Sequence, residues 1–432
     1  MPEPDERDFS AKTEPMRIAV VGTGVSGLIC AHVLAAEHEV TLFEADDRPG
    51  GHAHTVHASV DGRSVPVDTG FLVYNERTYP GLVRLFDELG VGTQPSDMSF
   101  SVVDERTGLE YGGTRPGALF AQRANLLRPA FLRMLTEVLR FHRAGRALLE
   151  DPPQPTYTLE DFLSEGTWST GFVEWFLVPL GSSIWSADPQ TFLQMPATMV
   201  LRFFERHGML TEGQKPAWRT VSGGSVNYVD AIVAPFRRAG RLRLSSPVAR
   251  ILRTETSVEV KTSVGAAEQF DHVILATHSD QALGVLADAT KVEKEVLGAI
   301  RYQDNSAVLH TDPSLLPSNR RAWAAWNFHR PSIPLDHVTM TYYLNRLQGL
   351  EVGTPVLVTL NRDEEIDPAA VLETFTYAHP ILDTEAIAAQ ARHHEISGVD
   401  RLSFCGAYWG SGFHEDGLQS ALEVCRVLGV RW

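Results

Sequence analysis

Short apolar runs alternate along this chain with stretches in which apolar residues recur once per helical turn. Arg17 to Val21 and Val40 to Phe43 are continuous runs of strand type. Between them, Leu28, Ala31 and Leu34 repeat at helical spacing. The pattern predicts strand, helix and strand within about thirty residues, the length of a nucleotide-binding βαβ unit.

The remainder of the chain yields further elements by the same criteria. Asp61 and Gly62 predict a hairpin turn, and Pro80 and Gly90 delimit a helix. Residues 117–212 are mostly helical in pattern. Strands are predicted at Thr55 to Val60, Arg63 to Val67, Phe100 to Val103, Leu109 to Tyr111, Leu242 to Val260 (in pairs), Phe270 to Thr277, Thr339 to Leu344, Val356 to Leu360 and Leu402 to Gly406, with helices after Gly223-Gly224 and over Leu418 to Leu428.

Composition narrows the class of protein. The 432 residues, 43% of them hydrophobic, can bury a sizeable core, and a net charge of −16 argues against nucleic acid as a partner. The cysteines Cys30, Cys405 and Cys425 have neither metal-ligand nor disulfide-framework spacing, so no metal site is predicted. Residues 1–15 read as a disordered leader without a signal peptide. We expect a soluble cytoplasmic protein.

Three glycines after the first strand carry the first chemical signal. Gly22, Gly24 and Gly27 have the G-x-G-x-x-G spacing. They permit a tight turn, close approach of a pyrophosphate and close packing of helix on strand, respectively. The free N–H groups at the start of the following helix then face the anion. Glycine turns are common, but the flanking strands and helix favour a dinucleotide site.

Glu44 at the end of the second strand specifies the nucleotide further. Its carboxylate can accept hydrogen bonds from both ribose hydroxyls, which favours an adenine dinucleotide without a 2′-phosphate. Only one glycine unit of this kind follows a strand. A second would be expected if the protein also bound NADPH, so an oxidase or dehydrogenase is favoured over a pyridine-nucleotide reductase.

The residues after Glu44 resemble a known family. Arg48, Gly50, Gly51 and Thr55 resemble the R-x-G-G-R-x-x-[ST] extension of the FAD-binding superfamily that contains flavin amine oxidases, phytoene desaturases and protoporphyrinogen oxidases. His52 stands where the motif has its second arginine, so the resemblance does not imply a charged phosphate contact at this position. The resemblance implies FAD as the cofactor. It also implies noncovalent binding, because no cysteine stands at the position upstream of the last strand where covalent-flavin amine oxidases carry one.

A second group of motifs makes the resemblance more specific. It runs from about Met16 to the C-terminus and is similar to a bacterial branch of predicted NAD/FAD-binding proteins. That branch is associated with cyclopropane-fatty-acid-synthase-like methyltransferases, which implies a role in lipid modification. The motifs are Trp218 to Ser225, Trp326-Asn327, Leu344 to Gln348, Thr359 to Asn361 and Gly412 to Gly417.

The implied fold class is α/β, with a Rossmann-like FAD-binding domain, an interleaved α+β substrate domain and a helical insertion. The strand at Phe270 to Thr277 resembles the one by which chains of the superfamily re-enter the cofactor domain. We assign the FAD-binding domain to 16–90, 215–285 and 396–432, and the substrate domain to 91–214 and 286–395.

The candidate site residues follow from these motifs and from the resemblance. The segment from Phe404 to Ala421 combines a strand, a glycine-rich turn and the start of a helix. In the family, this helix start lies at the flavin ring. Glu415 and Asp416 either cap this helix or act at the ring, and His414 either handles a proton or fills the turn. The catalytic candidates are Tyr408, His414 and Glu415; the cofactor candidates are Gly22, Gly24, Val25, Ser26, Gly27, Glu44, Ala45, Arg48, Gly50, Gly51, His52, Asp68, Thr69, Gly70, Val248, Ala276, Gly406, Asp416, Gly417 and Leu418.

The lysines bear on the reaction. Flavin amine oxidases usually hold a water beside the flavin with a lysine, and here only Lys215 among Lys12, Lys215, Lys261, Lys291 and Lys294 suits that role by position. The balance therefore tilts away from amine chemistry. The resemblance implies an FAD-dependent oxidoreductase that oxidises or desaturates C–H bonds by hydride transfer to flavin N5. With the lipid-linked branch, it implies a hydrophobic substrate such as a fatty-acyl or lipid chain. The alternatives are a flavin amine or amino-acid oxidase and a non-enzymatic lipid-binding relative of GDP-dissociation-inhibitor type.

Two segments leave the substrate and partners open. An arginine-rich helix within Ala118 to Leu149 either rests on an anionic membrane, at its inner face, or is a solvated helix face over an apolar core. Arg219 and Arg346 are candidates for an anionic substrate group by resemblance only. The aromatic residues of segment 117–215 line an apolar funnel or form a helical core: Phe172, Trp175, Phe176, Trp185, Phe192, Phe203 and Phe204, with Leu177 and Ile184.

Overall fold

The computed structural model describes residues 14–113, 116–211, 216–333 and 336–432. Most of the predicted leader, together with Lys12 and Lys215, lies outside these residues. Within them, no helix is both long enough and apolar enough to cross a bilayer.

The elements are these. The strands are β1 (Arg17–Val21), β2 (Glu39–Phe43), β3 (Thr55–Val60), β4 (Arg63–Asp68), β5 (Tyr74–Asn75), β6 (Thr93–Pro95), β7 (Phe100–Asp104), β8 (Leu109–Gly112), β9 (Trp218–Val221), β10 (Leu242–Arg243), β11 (Val248–Arg253), β12 (Val258–Thr262), β13 (Ala267–Phe270), β14 (His272–Leu275), β15 (Tyr302–His310), β16 (Trp326–Arg330), β17 (Met340–Tyr343), β18 (Leu357–Leu360), β19 (Val371–Pro380) and β20 (Leu402–Phe404). The helices are α1 (Val25–Leu34), α2 (Pro80–Leu89), α3 (Pro116–Leu119), α4 (Pro129–Glu150), α5 (Leu159–Glu165), α6 (Thr170–Phe172), α7 (Val178–Trp185), α8 (Pro189–Leu193), α9 (Ala197–Arg206), α10 (Val226–Arg238), α11 (Ser279–Val285), α12 (Lys291–Gly298), α13 (Leu344–Leu347), α14 (Thr384–Gln390) and α15 (His414–Val427).

The chain divides into two compact units. Unit 1 comprises the residues through Gly51, Val229–Gly298 and Gln390–Trp432. Its centre is a five-stranded parallel sheet in the order β10-β2-β1-β14-β20. Both faces of the inner strands are buried, which explains why β1 and β14 are apolar without alternation. Helices α1 and α15 pack against each other in this unit.

Unit 2 comprises His52–Tyr228 and Ala299–Ala389. Its main sheet has seven strands in the order β19-β15-β18-β17-β16-β7-β8, antiparallel except for the β7–β16 pair. The predicted β3–β4 hairpin is confirmed, with Asp61 (φ 51°) and Gly62 (φ 71°) in the left-handed region at its turn. The predicted helix ending at Gly90 is also present, as α2.

The predicted domain segments differ from these units at their edges. Residues 52–90 and 216–228 pack in unit 2, because Asp68 at the end of β4 accepts hydrogen bonds from Ser225 and Gln348. Residues 286–298 and 390–395 pack in unit 1. There, Glu293 of α12 accepts a 2.8 Å hydrogen bond from the Arg253 guanidinium of β11.

Candidate functional site

The turn between β1 and α1 is shaped for an anion. Gly22 has a φ of 97°, and a Cβ added at Gly27 would lie 2.0 Å from the Gly22 carbonyl oxygen, so both positions require glycine. Helix α1 begins after Gly24 without a side-chain cap. A Cβ added at Gly24 would meet no atom within 4 Å, so the space beside Gly24, directly before the start of α1, is open. This arrangement fits a pyrophosphate.

Glu44 is tied to the same turn. Its Oε2 accepts hydrogen bonds from the Thr23 N–H, at 3.0 Å, and from the Thr23 hydroxyl, and its Oε1 accepts one from the Asp46 N–H at 3.0 Å. A carboxylate has about four acceptor positions. One position on Oε1 is therefore left for a ribose hydroxyl, where the sequence suggested two. Thr23 was not predicted as a site residue, although its place between two of the glycines is a usable signal.

The segment after Glu44 folds back onto the turn. The Gly50 N–H donates to the Thr23 carbonyl at 3.1 Å, and the Arg48 guanidinium donates to the Gly51 carbonyl at 3.0 Å. Gly51 (φ 56°) lies so close that an added Cβ would be 3.1 Å from the Gly24 Cα. Arg48 thus holds this loop in place. Ala45 is exposed beside it.

Strand β14 and the segment before β11 complete this end of unit 1. The Ala276 N–H donates to the Val21 carbonyl at 2.8 Å, and a Cβ added at Gly22 would lie 2.8 Å from the Ala276 carbonyl oxygen. The Ser246 N–H donates to the Glu44 carbonyl at 2.8 Å, which brings the half-buried Val248 toward the strand end that carries Glu44. Of the predicted cofactor residues, Ala276 therefore adjoins the phosphate turn, and Val248 lies near the strand end that carries Glu44.

The start of α15 adjoins the start of α1. The Ser26 hydroxyl donates to the Gly417 carbonyl at 2.9 Å, and a Cβ added at Gly417 would lie 2.8 Å from Val25 Cγ1. Leu418 next to it is fully buried. Two helix N-termini, each with positive potential, therefore converge in unit 1, as expected for a cofactor with a negatively charged pyrophosphate and a ring that becomes anionic on reduction.

The acidic residues of this helix have separate roles. The Asp416 carboxylate accepts a 2.9 Å hydrogen bond from the Phe413 N–H, so Asp416 caps α15, which was one of its two predicted readings. Glu415 is half-buried and accepts a 2.7 Å hydrogen bond from the Gln419 amide one turn later. Glu415 is therefore not the cap of the helix, and its catalytic role stays a prediction.

His414 and Tyr408 are held in the same part of unit 1. Burial lowers the pKa of His414 to about 3, so its imidazole is neutral at neutral pH and acts there as a hydrogen-bonding group. Tyr408 is 3% exposed, and its ring packs over Gly406, where an added Cβ would lie 2.2 Å from Tyr408 Cε1. The catalytic assignments for both residues stay predictions.

Four predicted cofactor residues belong to unit 2. The Asp68 carboxylate, 1% exposed, accepts hydrogen bonds from the Thr55 hydroxyl (2.6 Å), from the Ser225 N–H and hydroxyl, and from the Gln348 amide (3.0 Å). The protein engages this carboxylate, so Asp68 has a structural role in unit 2, and its interpretation as a cofactor-binding residue stays a prediction. Burial raises its pKa, and the hydrogen bonds from Thr55 and Ser225 oppose that effect.

Thr69, Gly70 and His52 are joined to one another and to β19. The Tyr377 phenol oxygen lies 2.6 Å from the Thr69 hydroxyl and 3.0 Å from His54 Nδ1. Gly70 lies against the backbone of His52, and the His52 ring is 5.1 Å from the ring of Tyr377. No sequence signal predicted Tyr377, because it lies more than three hundred residues after Thr69.

The comparisons with known proteins agree with this architecture. Residues 25–309 match the family model for flavin containing amine oxidoreductase. Tryptophan 2-monooxygenase from Pantoea agglomerans pv. gypsophilae is 26% identical over 68% of this chain, and L-amino-acid oxidase from Pseudechis australis is 29% identical over 84%. The matched regions cover 58% and 69% of those proteins.

A solved structure, the CLA-producing fatty acid isomerase from P. acnes, superposes with a TM-score of 0.68 at 14% identity. The alignment covers 96% of this chain and 99% of that chain. The similarity confirms the predicted fold class.

Proposed function

This chain belongs to the flavin-containing amine oxidoreductase family, and we propose that it oxidises or desaturates a C–H bond of a hydrophobic substrate, a fatty-acyl or lipid chain. Membership confirms two predictions at the level of the family: FAD as the cofactor and FAD-dependent oxidoreductase as the class. It also removes support from the non-enzymatic alternative. The relatives matched act, by name, on tryptophan and L-amino acids, so amine or amino-acid oxidation is the second candidate.

The lysines narrow the choice between these two candidates. Lys261, Lys291 and Lys294, the lysines within the described residues, are all exposed on unit 1. None of these three can hold a buried water, so among the lysines a role in amine oxidation falls to Lys215 alone. Lys215 lies outside the described residues.

The arginines support the same choice. A carboxylate substrate calls for a buried arginine whose guanidinium is not already engaged. Arg219 donates to the Thr93 hydroxyl at 2.8 Å and to its carbonyl at 3.2 Å, and Arg346 is 40% exposed, 3.9 Å from Asp97. Among the described residues, Arg362 is the one buried arginine, and it forms a two-pronged ion pair with Glu365.

The aromatic segment divides into a core and a remainder. Phe172, Phe192 and Phe204 are fully buried and pack on other aromatic rings, and a Cβ at Gly181 would lie 1.9 Å from the ring of Phe192. These residues form a helical core and cannot line a funnel.

Half-buried Trp175, Phe176 and Ile184 remain available to an acyl chain. The first two lie in a π-helical turn (Val173–Leu177), an irregularity often found at functional sites. The name of one structural neighbour, the fatty acid isomerase, also supports the acyl substrate. The resemblance to the methyltransferase-associated branch supports it too.

The site in unit 1 assigns separate tasks to its residues. Val25, Ser26 and Glu44 would hold the pyrophosphate and ribose, and the N-terminal end of α15 would favour negative charge on the ring. FAD, when bound, accepts the hydride removed from the substrate; the substrate also loses a proton, so two electrons and two hydrogens leave as the double bond forms. His414 and Glu415 are the candidate groups for the proton.

Anaerobic reduction of the FAD-loaded protein tests this proposal. We expect fatty-acyl substrates to bleach the flavin absorbance, and their affinity to rise about fourfold per added CH₂. Glu415→Gln should slow the bleaching, whereas Glu423→Gln, an exposed acid on the same helix, should not. Peroxide formation with amines or L-amino acids, without bleaching by acyl chains, would establish the second candidate instead.

A further inference from the structure

The turn that leads into α4 exposes apolar side chains between two cationic ones. Leu126 is 51% exposed and Leu127 is 86% exposed, the highest exposure among the large hydrophobic residues described. Arg123 and Arg128 flank them in sequence. We define Arg123–Arg128 as the leucine–arginine tip. Single exposed apolar residues are common on protein surfaces, whereas adjoining ones indicate an interaction site. The two leucines are of the second kind.

Hydrogen bonds attach the tip and the residue before it to the sheet of unit 2. The Gln122 amide donates to the Gly108 carbonyl at 3.0 Å, and its oxygen accepts the Glu110 N–H at 2.9 Å. Fully buried Asn125 donates to the Glu110 carbonyl at 3.1 Å. The exposure of the two leucines is therefore a property of an ordered turn and not of a frayed end.

The charges at the tip are not neutralised within the described chain. Arg123 and Arg128 form no ion pair or side-chain hydrogen bond with any described residue. By contrast, Arg133 and Arg140 further along α4 are paired with Glu137. Residues 116–136 contain three arginines and no acid, in a chain of net charge −16.

Helix α4, which follows the tip directly, also exposes apolar side chains. Leu132, Thr136, Leu139 and Arg143 recur at helical spacing and are exposed, whereas Phe131, Met134 and Phe141 are buried. The sequence left two interpretations of this helix, a membrane-bound face and a solvated face over an apolar core. The buried Phe131 and Phe141 belong to the core, and the exposed Leu132 and Leu139 face outward. A basic apolar face of this kind is typical of interfacial helices.

We propose that the leucine–arginine tip and the exposed face of α4 dock this protein on an anionic lipid bilayer. The leucines enter the headgroup region, and Arg123 and Arg128 contact lipid phosphates. Nucleic acid does not fit, because the chain is acidic overall and the tip exposes two leucines. This docking is independent of the substrate.

Flotation of the full-length FAD-loaded protein with vesicles tests the docking. We expect binding to phosphatidylcholine vesicles that contain phosphatidylglycerol at low salt, and release at high salt. Arg123→Gln with Arg128→Gln should weaken binding roughly tenfold or more. Leu126→Ser with Leu127→Ser should weaken it to a similar or greater extent.

Matched variants control for general effects. Val264→Ser removes another exposed apolar group, and Arg238→Gln with Arg250→Gln removes the same charge from exposed positions in unit 1; both should bind vesicles like the wild type. The proposal is overturned if the wild type does not bind anionic vesicles at low salt, or if the controls lose as much binding as the tip variants. Capture by an acidic protein without vesicle binding would also overturn it.

Discussion

Two glycine-rich turns open helices in this protein, and they serve different ends. Gly22 to Gly27 lead into α1 in unit 1, and Gly223 and Gly224 (φ 76° and 96°) lead to the start of α10 in unit 2. Each turn places backbone N–H groups that have no partner within the helix at a helix N-terminus. By sequence alone, either turn is a candidate anion site.

The two turns differ in what faces their N–H groups. At α10, the Ser225 N–H donates to the Asp68 carboxylate at 2.9 Å and the Val226 N–H donates to the Thr55 hydroxyl at 2.9 Å. The protein supplies its own anion there, and a Cβ at Gly224 would collide with Thr55. At α1, no side chain caps the helix and the space at Gly24 is open. Glycine spacing alone therefore does not distinguish a ligand site from a structural joint.

The largest expected effect lies at the open turn. Gly24→Val should lower FAD affinity by more than about a thousandfold, about 4 kcal/mol, because the side chain would fill the space meant for the pyrophosphate. The extended backbone of Gly24 (φ −62°, ψ 177°) accepts valine, so the thermal midpoint of the FAD-free protein should not change.

Titration of the FAD-free protein followed by flavin fluorescence measures the loss of affinity. Gly284→Val, at another glycine of unit 1 with open space around it, should keep full affinity. Equal losses in the two variants would show that the open space at Gly24 is not the phosphate site.

The occupied turn should respond in stability instead. Asp68→Ala would leave the Ser225 N–H and the Gln348 amide without their acceptor, at a cost of about 3 kcal/mol in the free energy of unfolding. Chemical denaturation measures this loss. Asp61→Asn, an exposed acid at the turn of the same hairpin, should cost far less.

The pH dependence gives the sign of the Asp68 effect. Because burial raises the pKa of Asp68 in the folded protein, the folded state binds this proton more tightly than the unfolded state. Its contribution to stability is complete below the unfolded pKa and declines as pH rises through the folded pKa. The stability difference between wild type and Asp68→Asn should therefore grow as pH falls; a difference that shrinks would contradict this burial effect.

The sequence predicted the local features of unit 1 well. The apolar runs of β1 and β2, the glycine spacing and Glu44 are each contained in a few residues, and all occur as expected. Errors arose at the ends of elements. Helix α15 begins at His414 and not at Leu418, because Asp416 caps it, and β14 begins at His272 because the Asp271 carboxylate accepts the Arg17 N–H at 2.7 Å.

Non-local partners account for the rest. Asp68 meets Ser225 across 157 positions and Gln348 across 280, and no periodicity in the sequence links these residues. Likewise, Phe131 and Leu127 both lie in apolar sequence surroundings. Only the tertiary structure shows that the ring of Phe131 is buried and that Leu127 is exposed. Residue type predicted which chemistry was available, whereas the tertiary structure decided whether the protein or a ligand uses it.

The smallest expected effect tests how the open turn recognises its ribose. Glu44 spends three of about four acceptor positions on Thr23 and Asp46, which leaves one on Oε1. Glu44→Gln should lower FAD affinity about tenfold, about 1.4 kcal/mol, because a charge-assisted hydrogen bond is lost or weakened. The matched control is Glu39→Gln, an exposed acid at the start of the same strand.

FAD analogues that lack one adenosine ribose hydroxyl, at the 2′ or the 3′ position, test whether the Glu44 carboxylate contacts the ribose. With wild type, only one of the two analogues should bind about tenfold more weakly than FAD, since one acceptor position can serve one hydroxyl. With Glu44→Gln, that analogue and FAD should bind alike. If the variant instead weakens FAD and both analogues by one common factor, the carboxylate only holds Thr23 and does not contact the ribose.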